Sequence, residues 1–365
     1  MASIDSFNFA KGWVYMNGYF EINGRRIGPG CSPYVVAEIS ANHSQNFEQA
    51  AKLIKAASEA GADAIKLQTY TPDTLTIDCN NEYFQINGTP WDGRTLYDLY
   101  KEVYMPWEWQ PKLKAIAEEL NLDLFSTAFD PSAVDFLEDM GVPVHKVASF
   151  EIVDIPLIEH MARKGKPIII STGMATQTDI EESVQAARNA GATQIALLKC
   201  TSAYPASPEE MNLRTIPHLA ESFNVPVGLS DHTLGFAVPV SAIVLGACIV
   251  EKHFTLSRES SSPDSAFSLE PNEFKTMVDA IRVAEKALGE VRYGVTEREA
   301  SSHIFRRSLF VINDMKAGQV LTDATIRSIR PGYGLPPTSL REVIGKRAAK
   351  DIKKGTPLSW AMISD

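Results

Sequence analysis

Two histidines, His232 and His253, each close a short apolar run (VPVGLSDH and CIVEKH) and stand about one helix and two loops apart. That spacing fits neighbouring strand ends. There, two neutral imidazoles plus water or substrate oxygens would suit a divalent ion such as Mn²⁺, Co²⁺ or Zn²⁺. Such an ion polarises a carbonyl as a Lewis acid. The plainer reading makes both histidines hydrogen-bonded rim or core residues. The flanking carboxylates Asp231 and Glu251 favour the metal, because outer-shell carboxylates orient imidazole ligands.

Two lysines form a second constellation. Lys66 (AIKLQT) and Lys146 (VHKVAS) sit inside apolar runs, where an ammonium is costly to bury without an anion. With the hydroxyls of Thr127, Ser149, Ser171, Ser202 and Ser230 they describe a cradle for phosphate and carboxylate. Two other readings stand beside it: salt bridges to Glu38 or Glu151, or a lysine that forms a Schiff base as in lysine-dependent aldolases.

The elements that would position these groups repeat one pattern, a β-branched run followed by a polar loop and a helical segment. Eight runs recur: YVVAEIS, AIKLQT, LDLFST, VHKVAS, PIIIST, IALLKC, VPVGLS and CIVEKH. Nearly continuous apolar strands alternating with helices predict a parallel sheet covered by helices, and eight units in about 220 residues predict a closed (β/α)₈ TIM barrel. In that fold the C-terminal strand ends form the active face. Polar residues close every run: Glu38, Asn42 and His43; Lys66, Gln68 and Thr69; Ser126, Thr127 and Asp130; Lys146, Ser149 and Glu151. The series continues with Ser171, Thr172 and Gly173; Thr201, Ser202 and Tyr204; Ser230, Asp231 and His232; Glu251, Lys252 and His253. Ser171, Ser230 and Asp130 could equally cap the following helices.

Helices are expected over 47–60, ending before Gly61, and over 176–190, ending at Gly191. The connection 70–105 is too long for a routine barrel loop and is expected to help select substrate, with Tyr83, Phe84 and Trp91 as apolar contacts or loop packing. Residues 1–31 carry Asn23-Gly24 and read as a hairpin closing the barrel floor, with the barrel over 32–290. A charged linker over 291–305 precedes a small domain of short strands and turns over 306–365.

Composition bounds the partners. Of 365 residues, 44% are hydrophobic and 22% charged, which supports a large core. A net charge of −10 disfavours non-specific nucleic-acid binding yet permits a local cationic pocket. Four scattered cysteines without a CxxC point to a reducing, cytoplasmic setting, and no apolar stretch is long enough to predict a membrane span.

The strings VAEISANH, KLQTYTPDTL, FSTAFD, KVASFEIVDIPLI, STGMAT, LKCTSAYPA, VGLSDHTLG and EKHFT occur in the order and spacing of the sialic acid synthase family. The chain resembles that family over nearly its full length, because SLFVINDMKAGQVLTDATIRSIRPGYGL is similar to its small antifreeze-like (SAF) domain. The resemblance implies a cytoplasmic transferase that joins phosphoenolpyruvate to an acylamino sugar and makes a nine-carbon 2-keto acid. It implies His232 and His253 as ligands of a divalent cation, Mn²⁺ with Co²⁺ or Mg²⁺ as alternatives. Lys66, Thr127, Lys146, Ser149, Ser171, Ser202 and Ser230 match phosphoenolpyruvate contacts. Glu38, Gln68, Tyr204, Glu251 and Asp264 match sugar-side contacts, and Glu151 matches an acid/base or water-positioning carboxylate. Ser202 departs from the asparagine usual in neuraminate synthases. Arg330 matches an arginine that reaches a neighbouring subunit's site in a domain-swapped homodimer.

Within the family, TLYDLYKEVYMPWEW, ASFE and PDSAFSLEP are similar to the branch that makes pseudaminic acid, where neuraminate synthases typically show PDHKA for PDSAF. The implied acceptor is 2,4-diacetamido-2,4,6-trideoxy-L-altrose. The alternatives are N-acetylneuraminate or legionaminate synthesis, a lysine-dependent pyruvate aldolase, and a non-catalytic barrel kept for binding.

Overall fold

Runs rich in Val, Ile and Leu without alternation need cover on both faces, and parallel strands under helices provide it. The computed structural model describes residues 18–88, 92–260 and 262–365. Eight of its strands close into a barrel: β3 (Tyr34–Glu38), β4 (Ala64–Thr69), β5 (Asp123–Ala128), β6 (His145–Val147), β7 (Ile168–Ser171), β8 (Ile195–Cys200), β9 (Val227–Asp231) and β10 (Ile249–His253). All neighbours are parallel, and β10 pairs with β3 to complete the ring. The predicted runs and these strands agree to within two residues at nearly every end.

A hairpin of β1 (Phe20–Ile22) and β2 (Arg25–Ile27) precedes the barrel, turning at Asn23-Gly24 where both φ angles are positive, 47° and 77°. It closes the floor by polar ties to the N-terminal strand ends. Arg25 pairs with Asp63 at 2.6 Å, and the Glu21 N–H donates to Gln194 at 2.7 Å. Phe20, Ile22 and Ile27 are fully buried beneath the strands.

The outer helices follow their local signals. Phe47–Glu59 begins at Asn46, whose side chain accepts from the Gln49 N–H, and its stripe of Ala50, Leu53, Ile54 and Ala57 is buried. Each such fully buried Leu or Ile contributes about 2 kcal/mol. Gln177–Asn189 opens on a capping box between Thr176 and Asp179. The described residues of the 70–105 connection include short helices at Pro72–Leu75 and Leu96–Val103, and the Trp107 indole N–H donates to the Tyr70 carbonyl at 3.1 Å. Trp91 lies outside the described residues.

The chain divides into two compact units, Met1–Gly289 and Glu290–Asp365. The second has its own small core, which includes Leu309, Val311, Leu321, Ile326 and Leu358. Its strands, β11 (Ser308–Val311), β12 (Ile326–Ile329), β13 (Arg347–Ala348) and β14 (Ile363–Ser364), pair antiparallel two by two. The segment read as a linker holds tight 3₁₀ turns over Glu297–Phe305. No helix of the described residues is long and apolar enough to cross a membrane.

Candidate functional site

Side chains alternate across a strand, so register decides which polar strand ends face the barrel interior. Glu38 is in register with Lys66 and His253, Glu251 with Ser230, and Ser230 with Cys200. Gln68 is in register with Thr127, and Thr127 with Lys146. Cross-strand partners share a face, so these residues line one mouth, and Ser171 joins them through a 2.7 Å hydrogen bond from the Lys146 ammonium. Thr127 lies buried on this wall.

The residues between them face the helices, which corrects part of the rim expected from sequence. Asp231 is no outer-shell partner for a metal: it pairs with Lys252 at 2.5 Å, and both side chains are fully buried on the far side of the strands. Thr69 bonds Ser126 at 2.6 Å and Gln110 at 2.8 Å, also outward. Asp130 is a helix cap that accepts from the Ser132 and Ala133 N–H groups. Asn42 is structural, donating to the Phe254 carbonyl and the Ser268 hydroxyl at 2.9 Å each. His43 packs edge-on against Trp109, and burial pulls its pKa down to about 4. Ser171 and Ser230 do not cap; both bond inward.

The two interior lysines are not equivalent. Lys66 donates to Glu251 at 2.5 Å, and its ammonium lies 2.9 Å from Glu38 Oε2, an ion pair without hydrogen-bond geometry. The salt-bridge reading therefore holds for Lys66. Burial lowers its pKa to about 8, with Glu251 pulling it up and Lys146 pushing it further down. Glu251 is buried, which works against its charge, yet Lys146 and Lys66 together hold it at about 2. Lys146 has no carboxylate within ion-pair distance among the described residues and donates to Ser171 and the Val147 carbonyl. Its charge is thus available to a bound anion.

Beside Lys146 lies a hydroxyl pair in which Ser202 donates to Ser149 at 2.8 Å. Gly173 sits against it: a Cβ there would come within 2.2 Å of the Ser202 oxygen and 3.0 Å of Ser149 Cβ. Only glycine lets the backbone approach this closely. Cationic, hydroxyl-lined and open to backbone approach, this side can hold a phosphate or a carboxylate. Glu151 stands near it with one buried oxygen lacking a partner, and burial raises its pKa to about 7 against the pull of Lys146.

The opposite side carries acceptors and amides. Gln68 donates to Ser40 at 3.0 Å, Ser40 bonds Asp264, and burial raises the Asp264 carboxyl although Ser40 and the Ala41 N–H lower it. Tyr204 packs over the histidines, its ring 4.3 Å from that of His232 and 5.1 Å from Phe267. The sequence reading missed Phe267, which packs 5.0 Å from His253, and Cys200, which alternation from Leu198 would have placed inside.

The imidazole rings of His232 and His253 lie 5.4 Å apart. His232 Nδ1 donates to the Thr201 carbonyl at 2.8 Å, which fixes the ring, and the ring also faces Cys200; burial works against its charge, yet Cys200 and the Thr201 carbonyl raise its pKa. Burial holds His253 neutral, well below the usual range, and its buried Nδ1 has no partner. This donor set fits a divalent cation. No group of three or more His, Cys, Asp or Glu side chains in ligand geometry occurs among the described residues, so water or substrate oxygens would complete the shell.

Fold and site together define a barrel enzyme suited to an anionic substrate, carrying a small antiparallel domain after it. Residues 53–293 match the NeuB family and residues 306–364 the SAF domain. The chain belongs to the NeuB family, the sialic acid synthases that its motifs resemble. It is 44% identical over 328 residues to the pseudaminic acid synthase of Helicobacter pylori, covering 90% of this chain and 96% of that one. It is 35% identical to the N,N'-diacetyllegionaminic acid synthase of Legionella pneumophila, with 94% and 98% covered. The crystal structure of the spore coat polysaccharide biosynthesis protein SpsE from Bacillus subtilis superposes with a TM-score of 0.64 at 33% identity, covering 95% of this chain and 99% of that one.

Proposed function

We propose that this chain is a pseudaminic acid synthase, condensing phosphoenolpyruvate with 2,4-diacetamido-2,4,6-trideoxy-L-altrose and water to give pseudaminic acid and phosphate. The observation that carries this reading is the division of the barrel mouth. Lys146, Ser149, Ser171, Ser202 and Gly173 form an anion cradle on one side, and Glu38, Gln68 and Asp264 present acceptors and an amide on the other. The 44% identity to pseudaminic acid synthases over most of the chain supports the choice of acceptor.

His232 and His253 would hold a divalent cation, Mn²⁺ before Co²⁺ or Mg²⁺, which supplies Lewis acidity toward the sugar aldehyde. The chain's own groups do the rest. Lys146 and the hydroxyl pair orient the enol phosphate, so its methylene carbon meets the aldehyde carbon within one enclosed site. Glu38 and Glu251 offset positive charge that develops at carbon two of the enol. Water adds there after losing a proton to Glu151, whose raised pKa suits a base near neutrality. Glu151 then gives that proton to the new alkoxide. As the C–O bond to phosphate breaks, the hydroxyl at carbon two becomes the ketone and passes its proton to the leaving phosphate, and Lys146 holds the departing hydrogen phosphate dianion.

The SAF domain is proposed to act across a homodimer, Arg330 of the partner subunit reaching the sugar. Val291, Tyr293 and Phe305, 85%, 94% and 62% exposed, offer apolar surface for such an association. The setting is proposed to be cytoplasmic, with neither nucleic acid nor membrane as a partner.

Incubation with phosphoenolpyruvate, Mn²⁺ and a panel of acylamino sugars tests the reading. Phosphate release that depends on the altrose and stops in EDTA is expected, with label from heavy-oxygen water in the keto acid. Preference for a legionaminate or neuraminate precursor would move the chain to a sibling activity. Inactivation by borohydride with pyruvate, trapped on Lys66 or Lys146, would replace the scheme with a Schiff-base aldolase.

A further inference from the structure

Ser40 is 4% exposed and holds φ at +41°, a left-handed backbone that L residues other than Asn and Asp rarely adopt. A glycine would take that backbone at no steric cost, so the serine holds it against its own conformational preference. Outliers of this kind cluster at functional sites, held by the surrounding structure.

Ser40 is held in that conformation by the contacts of its side chain and its backbone N–H. Its hydroxyl donates to Asp264 Oδ2 and accepts from Gln68 Nε2 at 3.0 Å. Its backbone N–H donates to Glu38 Oε1 at 2.8 Å, and the next N–H, of Ala41, reaches the same Asp264 oxygen at 3.4 Å. The left-handed turn is what lets one residue aim N–H and hydroxyl at two different carboxylates. Glu38 comes from β3, Gln68 from β4 and Asp264 from the segment after β10; Gln68 also reaches Glu38 Oε1 directly at 3.5 Å, and the Ser40 hydroxyl joins Gln68 to Asp264.

We infer that Ser40 is a positioning residue for the sugar acceptor, fixing the Asp264 carboxylate and the Gln68 amide toward the hydroxyls and acylamino groups of an open-chain amino sugar. This rests on the function proposed above. With its proton given to Asp264 and one lone pair taken by Gln68, the Ser40 hydroxyl acts on the sugar by setting the direction of those two groups.

The test uses the full-length enzyme with Mn²⁺ and the alditol of the diacetamido sugar, which binds but has no aldehyde to react. Calorimetric affinity for the alditol and steady-state kinetics are measured for Ser40→Gly, Ser40→Ala, Asp264→Asn and the Ser40→Gly/Asp264→Asn double variant. Ser40→Gly suits the positive φ but removes Cβ together with the hydroxyl, while Ser40→Ala removes only the hydroxyl and keeps the Cβ. Both are expected to weaken alditol binding and raise the sugar KM about tenfold, the loss of one hydrogen bond to a charged group. The phosphoenolpyruvate KM is expected to stay within about twofold. The double variant should lose less than the product of the single losses, because both act through one contact.

Unchanged alditol affinity in Ser40→Gly, equal rises in both KM values, or multiplicative losses would overturn the proposal and leave Ser40 as a turn residue. Parent enzyme that binds no alditol and releases no phosphate would remove the proposed function, and Ser40's role with it.

Discussion

At the scale of single residues, Glu151 and the lysine pair decide how the site is charged. Glu151 moves from 4.5 to about 7, chiefly by burial. The folded chain therefore binds that proton more tightly than the unfolded chain. The stability this gives is complete below pH 4.5 and is lost as pH rises through 7. Glu151→Gln mimics the protonated form, so its Tm should exceed the parent's at pH 8 and match it near pH 4.5, read by calorimetry. Its kcat should fall about a hundredfold, and the limb near pH 7 should vanish from the kcat profile. The lysines should separate by assay. Lys66→Met strands two buried carboxylates, Glu38 and Glu251, and should lose about 3–5 kcal/mol in denaturant unfolding. Lys146→Met removes a charge that helps hold Glu251 ionised but leaves Glu251 paired with Lys66, so it should cost less stability than Lys66→Met, while its phosphoenolpyruvate KM rises tenfold or more, about what a charge-assisted contact is worth.

At the scale of elements, the short turn after β7 is the informative one. Gly173 allows the backbone to lie against the Ser149–Ser202 pair, and a methyl there would meet the Ser202 oxygen at 2.2 Å. Gly173→Ala should displace that pair and raise the phosphoenolpyruvate KM at least about tenfold, with an unchanged far-ultraviolet spectrum because strand and helix are untouched. The outward pairs behave differently. Asp231→Asn leaves Lys252 buried beside a neutral amide and should cost about 3 kcal/mol of stability, visible as an earlier urea midpoint.

At the scale of the whole molecule, two units with separate cores make the function of the second separable from the folding of the first. Arg330→Ala lies on the exposed surface of the small unit, away from its core. The variant should keep both unfolding transitions within about 0.5 kcal/mol of the parent, as surface changes usually do. If Arg330 of the partner subunit reaches the sugar, the same variant should raise the sugar KM, and sedimentation should report a dimer. A monomer with unchanged sugar kinetics would take the SAF domain out of the site.

The sequence by itself determined the barrel, because eight unalternating apolar runs separated by helical stripes admit few other layer arrangements. It also determined the motif set, the rim positions of Lys66, Lys146, Glu251, His232 and His253, and the small terminal domain. Period-two alternation could have sorted inward from outward polar residues, yet strand register was needed to say that Asp231 and Lys252 neutralise each other behind the wall while Glu251 and Lys66 do so within it. Only tertiary structure decided that Lys66 is committed to two carboxylates and Lys146, among the described residues, to none, since that depends on side chains brought together from β3, β4, β6 and β10. Ser40 was visible in the string VAEISANH but silent there, because a backbone dihedral and contacts to residues 28 and 224 positions away leave no mark in local composition.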